Sequence, residues 1–439
     1  MKIFLKVGLV LSVSIAVLLT SSQLVSAQMG GGGMGGGDDR RTNRVQSIPA
    51  ELVTEFEAVQ AAMEANNDSE ALRILTKIDA EEEKNNITQA YINNFRGNIY
   101  FSQDNYSRAL TEFRGILDIP EGVPPAFYNQ ILYVVAQVHF SQENFREALN
   151  FGQRWFNSLP EKTADGYLLI GQAQFMLKEF DAALPNVQAG ISKYEQLGLQ
   201  PKEGWLNLLS SIYRNKNDYA KMLPVIKQLI QFYPKKDYLL TMAGVYNELG
   251  DRPKMTAMYQ AMYDQDLLSS PQVITLAQLH MAEDNPYKTA TIMEKALNEG
   301  KIEKNLQNYR IYSQALFVAK EHERALAPLA EAARRAPDGK MYNQLGQSYL
   351  ALSRWQEADE ALTNALNKGG LNAPGQALIS QGLARFEQKN YEGAKAAFNR
   401  ALQYSNVASS ASNWIKYVDS EVYRINELSK PVDEIDVDV

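Results

Sequence analysis

The chain has 439 residues, 45% of them apolar and 22% charged, with a formal charge of −7. That composition excludes a fibre and a wholly disordered chain, and the negative sign gives nucleic acid and anionic lipid no electrostatic pull. Cysteine is absent and the only histidines are His139, His280 and His322. This removes disulfides, thiolate metal sites and thiol nucleophiles, and leaves neither a metal centre nor a cofactor to expect.

Residues 1–27 read as a secretory signal peptide. Lys2 and Lys6 precede an apolar run from Val7 to Leu19, and Val25-Ser26-Ala27 supplies small residues ahead of a cut before Gln28. A retained anchor is the alternative, but ~13 apolar residues are short for a span that needs ~20. The expectation is a periplasmic or secreted protein with no membrane span after cleavage. Residues 28–47 follow as a flexible linker, because Gly30–Gly33 and Gly35–Gly37 make ordering too costly in entropy. No Lys-Ser/Thr follows these glycines, so they are not a phosphate loop.

From residue 48 to 404 apolar positions recur at three and four residues, the spacing of helices throughout. A longer period lies over this one. The clearest unit holds Tyr342, Leu345, Gly346, Tyr349, Trp355, Ala358, Leu362, Ala365 and Leu366: a first helix, a polar turn Ser353-Arg354, and a second helix. Gly346 and Ala358 are small where two antiparallel helices must come close. The turn and its following aromatic recur at Tyr106, Phe145, Phe180, Tyr219, Tyr287 and Tyr391. Three residues later stand Ala109, Ala148, Ala183, Met222, Ala290 and Ala394. First-helix glycines recur at Gly97, Gly171, Gly244 and Gly382, with Ala136 at the equivalent place.

The unit resembles the tetratricopeptide repeat, a helix-turn-helix of ~34 residues, and Ala71 to Ala394 are spaced at about 36 residues per unit. The resemblance implies an all-α, right-handed superhelical solenoid of about ten such repeats. Three units fit loosely: the opening one, Leu52 to Ile78, lacks the glycine, and those near Gly244–Tyr263 and Ile274–Leu297 carry Thr256, Pro253 and Pro286. A local break or bend is therefore expected between residues 236 and 300.

A stack of repeats needs a lid at each end. Residues 405–429 read as a C-terminal capping helix, with Ala411, Trp414, Ile415, Val418, Val422 and Ile425 on one face. A partner-binding helix is the sharper alternative. Residues 430–439 form an acidic tail, either solubilising or able to add as a strand to a partner's sheet.

No catalytic motif is present, and His322 takes an aromatic's place after a turn, as a packing residue would. In the family that the chain resembles, the first helices line a groove and two residues one turn apart on each face the ligand. Laid on this chain, the frame gives Asn94 and Asn98, Tyr133 and Gln137, Leu168 and Gln172, Asn207 and Ser211, Thr241 and Val245. It continues with Thr275 and Leu279, Arg310 and Gln314, Asn343 and Gln347, Ile379 and Leu383. Eight of these eighteen are amides, against about one residue in seven over the chain. An amide both donates and accepts, so a row of them suits the main chain of an extended peptide. Candidate peptide-binding residues are Asn94, Asn98, Gln137, Gln172, Asn207, Arg310, Gln314, Asn343 and Gln347. Phe101, Phe140, Phe175 and Phe317 are either pocket walls or core. The expected function is a non-enzymatic scaffold or adaptor in the cell envelope with a protein or peptide partner. An accessory subunit of an envelope machine, in TonB-type uptake or outer-membrane assembly, is the alternative within that class, and a glycan-acting enzyme the alternative outside it.

Overall fold

The structure is a computed structural model and describes residues 46–81 and 84–429. The expected leader at 1–27, the linker up to residue 45 and the tail at 430–439 lie outside the described residues.

Among the described residues every regular element is a helix. The chain divides after Tyr238 into two compact units. The first contains α1 (Ala50–Glu64), α2 (Asp68–Asp79), α3 (Asn86–Ser102), α4 (Tyr106–Leu117), α5 (Pro125–Ser141), α6 (Phe145–Ser158), α7 (Ala164–Met176), α8 (Phe180–Gln196), α9 (Glu203–Asn215), α10 (Tyr219–Phe232) and the opening of α11 (Lys236–Glu248). The second continues from α11 with α12 (Arg252–Asp264), α13 (Ser270–Ala282), α14 (Pro286–Asn298), α15 (Leu306–Val318), α16 (His322–Arg335), α17 (Lys340–Ala351), α18 (Trp355–Lys368), α19 (Pro374–Glu387), α20 (Tyr391–Ala401) and α21 (Ala408–Leu428). The odd and even helices up to α20 form ten helix-turn-helix pairs, the number that the repeat spacing implies.

All ten turns are built alike. Two positions ahead of each second helix a residue stands in the left-handed region: Asn66, Asp104, Glu143, Lys178, Asn217, Gly250, Asp284, Lys320, Ser353 and Lys389, with φ from 55° to 73°. Its N–H bonds back to the carbonyl three residues earlier and the next N–H to the one five earlier, as in Asp104 N to Phe101 O at 3.0 Å and Asn105 N to Tyr100 O at 2.8 Å. Those two bonds satisfy the last carbonyls of the first helix while the chain reverses. Several second helices are then started by a side-chain cap, with Asn67, Asn105, Asp218, Asp251, Asn285 and Asn390 each accepting from the N–H three residues on.

The small residues sit where the period put them. Ala71, Ala109, Ala183, Ala290, Ala325, Ala358 and Ala394 are fully enclosed. A Cβ added at Gly97 would lie 2.5 Å from the Phe113 ring, at Gly171 2.6 Å from Val187, and at Gly346 2.7 Å from Leu362. At Gly382 it would run into the Phe398 ring. Gly244 does not belong to this set. It is exposed, and a Cβ there would meet nothing within 4 Å, because the frame slips by one residue in this pair: Ala243, fully enclosed, stands at the glycine's distance ahead of the left-handed Gly250.

The loosely fitting units keep the same turn, with Gly250 and Asp284 as its left-handed residues. Pro286 lies in the first turn of α14, where its missing N–H has no helical partner to lose. Behind it Leu276, Ala277, Ala290 and Met293 form an enclosed core. In the opening pair the enclosed Val59 stands at the glycine's place, and Phe56 stacks on Phe95 of the next pair with centroids 5.8 Å apart.

α21 packs on α20 and α19. Ala411 and Val418 are fully buried, Trp414, Ile415 and Val422 close over the same cluster, and Trp414 lies flat on Phe398 at 5.6 Å. Ile425 falls outside that cluster, so the apolar contact ends near Val422. Asp419, off that apolar face, pairs with Lys395 of α20 at 2.7 Å.

Candidate binding face of the first helices

Some successive first helices touch one another: α7 with α9 in the first unit, and α13 with α15, α15 with α17 and α17 with α19 in the second, where α19 also meets the terminal α21. Side chains on that side therefore form rows running across the repeats.

The amides of the second unit are joined in such a row. Gln344 Nε2 donates to Gln314 Oε1 at 2.9 Å, linking α17 to α15, and Gln347 Nε2 donates to Ser380 Oγ at 2.9 Å, linking α17 to α19. Asn343 lies beside them, and both its Oδ1 and the Gln344 Oε1 are enclosed without a hydrogen-bond partner. Arg310, one turn before Gln314, is exposed. In the first unit Asn98 Nδ2 reaches Asn94 Oδ1 only at 3.4 Å, and Asn207 Nδ2 donates to the Tyr238 hydroxyl at 2.9 Å. Tyr238 in turn donates to Glu203, and burial together with that carboxylate pushes its pKa up to about 12. Gln137 and Gln172 are half-buried.

Four of the eighteen slots are interior: Leu168, Val245 and Ile379, and also Asn98, which is 7% exposed with its Oδ1 unpartnered. A step of four residues turns a helix by about 40° beyond a full turn, so the two slots of a pair do not face the same way, and one of them is interior in four pairs: the first at Leu168 and Ile379, the second at Asn98 and Val245. The frame also missed Gln344 and Ser380. Both lie on first helices, and Gln344 is one residue from a slot, about one repeat period from the amide it meets.

The phenylalanines resolve as packing residues. Phe101, Phe140, Phe175 and Phe317 meet the aromatic or histidine that opens the second helix: Tyr106 at 5.5 Å, Phe145 at 5.2 Å, Phe180 at 5.6 Å and His322 at 5.7 Å, steeply inclined each time. They fasten the turn of each pair.

Each histidine is engaged within the fold, His322 with Phe317 of its own pair and the other two with the pair before. His139 lies buried between Phe151 and Arg114, whose Nη2 is 3.0 Å from Nε2. Burial and then the guanidinium hold its pKa below the usual imidazole value. His280 bonds to Gln260 at 3.0 Å and is likewise lowered by burial. Among the described residues no three His, Asp or Glu side chains stand together in a way that could hold a metal ion. No described helix is long and apolar enough to cross a membrane.

The pair that the sequence reading singled out, α17–α18, opens a region with an independent match. Residues 343–411 match the family model of the tetratricopeptide repeat. The matched stretch takes in α18, α19 and α20 whole and contains Asn343, Gln344, Gln347 and Ser380. Among solved structures, a tetratricopeptide repeat protein from Parabacteroides merdae is 15% identical over 58% of this chain and 98% of its own, with a TM-score of 0.32. YrrB, described as a TPR protein with an unusual peptide-binding site, is 15% identical over 44% of this chain and 97% of its own, at 0.36. MamA from Desulfovibrio magneticus, from residue 41 to its end, is 15% identical over 44% of this chain and 99% of its own, also at 0.36. No curated protein matches the chain.

Proposed function

We propose that the chain is a non-enzymatic interaction scaffold whose second unit holds an extended segment of a partner protein against α15, α17 and α19. The supporting observation is the amide row: Gln314, Gln344, Gln347 and Ser380 tie three first helices together, while Asn343 and Gln344 keep enclosed oxygens with no donor. A partner's main chain can donate to and accept from the partly exposed amide side chains of the row, Gln314, Asn343 and Gln347. Eight hydrogen bonds at ~0.5–1.5 kcal/mol each would be largely consumed by an association cost of ~4–15 kcal/mol. Apolar contact must add to them, and the half-buried Leu383 of α19, with Val318 of α15 at 45% exposure, lie on two of these helices.

The reading includes export by the leader at residues 1–27 and service in the envelope, as a free adaptor or as an accessory subunit of an envelope machine. Export is tested by the mass of the protein recovered from the envelope fraction, expected to begin at Gln28. The groove is tested with a photo-crosslinking residue placed at the exposed Arg310 or, as a control, at the exposed Gln356 of α18. Arg310 is expected to capture the partner and Gln356 not to. Asn343→Ala with Gln347→Ala is expected to weaken the captured partner at least tenfold with the helical content unchanged. Capture from Gln356 alone would reject the groove and leave the fold standing.

A further inference from the structure

His139 of α5 stands where the second helix pair meets the third. It is 4% exposed, with its ring against Phe151 of α6 and its Nε2 3.0 Å from Nη2 of Arg114 on α4. A guanidinium has hydrogens to give and no lone pair to accept with, so Nε2 must be the acceptor and the neutral ring carries its hydrogen on Nδ1. Nδ1 is itself enclosed and has no hydrogen-bond partner. A second ring proton would therefore aim an N–H at the guanidinium, and the other nitrogen would have neither water nor a carboxylate to share the charge.

The surrounding charges bring little relief. α5 carries no Asp, Glu, Lys or Arg. On α6, Glu147 favours the proton but less than Arg114 opposes it, and Arg154 adds another cation 5.2 Å from the centre of the Phe151 ring. The two contacts of the imidazole respond differently to a proton. A cation is attracted to an aromatic face, so the contact with Phe151 keeps α5 on α6. The same cation is repelled by Arg114 and needs water, and moving α4 away meets both demands. We propose that the contact between α4 and α5 is an acid-operated joint: a proton taken up by His139 parts the second helix pair from the third while each pair stays folded. In the opened joint the ring titrates near its ordinary ~6.5, so each pH unit below that value favours opening about tenfold.

The chain has no cysteine, so an introduced thiol reports on one place. Val135, one turn before His139 in a cluster shared with Phe113 and Ile116 of α4, and Val187 of α8 are both fully buried. Val135→Cys and Val187→Cys are labelled separately with N-ethylmaleimide at pH 7.5 and 5.5, and the ratio of the two rates cancels the thiol's own pH dependence. That ratio is expected to rise about tenfold at pH 5.5 and to stay constant once His139→Gln is added. His139→Phe, which keeps a ring against Phe151, takes the place of His139→Gln should that variant not fold. An unchanged ratio would overturn the proposal, whether neither site opens or both open together, and so would a rise that survives the loss of His139.

Discussion

A single residue in each turn carries a conformational cost. Nine of the ten left-handed positions hold Asn, Asp, Glu, Lys or Ser, and only Gly250 is glycine. For an L-residue other than Asn or Asp that conformation costs roughly 1 kcal/mol, which glycine avoids. Lys178→Gly is therefore expected to raise the melting temperature of the first unit, with a stabilisation of about 0.5–1 kcal/mol. A fall in melting temperature would mean that the Lys178 side chain makes a contact worth more than the strain. The sequence located these turns through the aromatic and alanine behind them, but not their left-handed backbone, because without glycine Glu143 or Lys178 looks like any polar residue. A second effect at this scale is pH. His139 and His280 are held neutral by burial while an unfolded chain takes up protons near ~6.5, so stability is full above that value and falls as pH drops below it. Urea midpoints at pH 7.5 and 5.5 should differ in that direction. His139→Gln, which can still accept from Arg114, should reduce the difference; an undiminished difference would remove His139 as its source.

At the scale of the element, stability rests on whether two helices can touch. The fully buried Phe398 leaves no room for a side chain at Gly382, so Gly382→Ala is expected to destabilise by about 1–3 kcal/mol through overpacking, read from a thermal melt. The sequence pattern located this contact and its relatives at Gly97, Gly171 and Gly346. It placed Gly244 among them because the residue type recurs, but the frame slips by one residue there and the enclosed Ala243 takes the place. Gly339 escaped the pattern although a Cβ on it would collide with the Ala365 carbonyl, because that approach is at the helix start, outside the recurring frame. The last element was legible through its apolar stripe. Trp414 covers Phe398 and carries most of the lid's aromatic contact, and Trp414→Ala is expected to cost about 3 kcal/mol and to expose the end of the array to aggregation. A melt coinciding with the unsubstituted chain would show that α21 does not serve as the lid.

Across the whole chain, polar contacts between elements keep mostly to one spacing. Lys193 meets Glu161, Arg324 meets Glu294, Gln344 meets Gln314, Gln347 meets Ser380, and Lys368 donates to the Ala333 carbonyl, each joining a repeat to the next. Exposed ion pairs of this kind contribute ~0–1 kcal/mol apiece, so they set the register of neighbours more than they hold them. This locality was implicit in the repeat spacing. The identities of the tying residues were not, since long polar side chains at equivalent positions have several partners within reach. An array held together by neighbours transmits a disturbance only as far as its interfaces are coupled. In the second unit, Gly346→Leu forces α17 from α18 against the buried Leu362. Amide exchange in this variant is expected to accelerate most in α17–α18, less in α15–α16 and α19–α20, and not at all in α13–α14. A uniform acceleration through α13–α20 would mean that the unit unfolds as one cooperative body, with its stability shared among all its pairs.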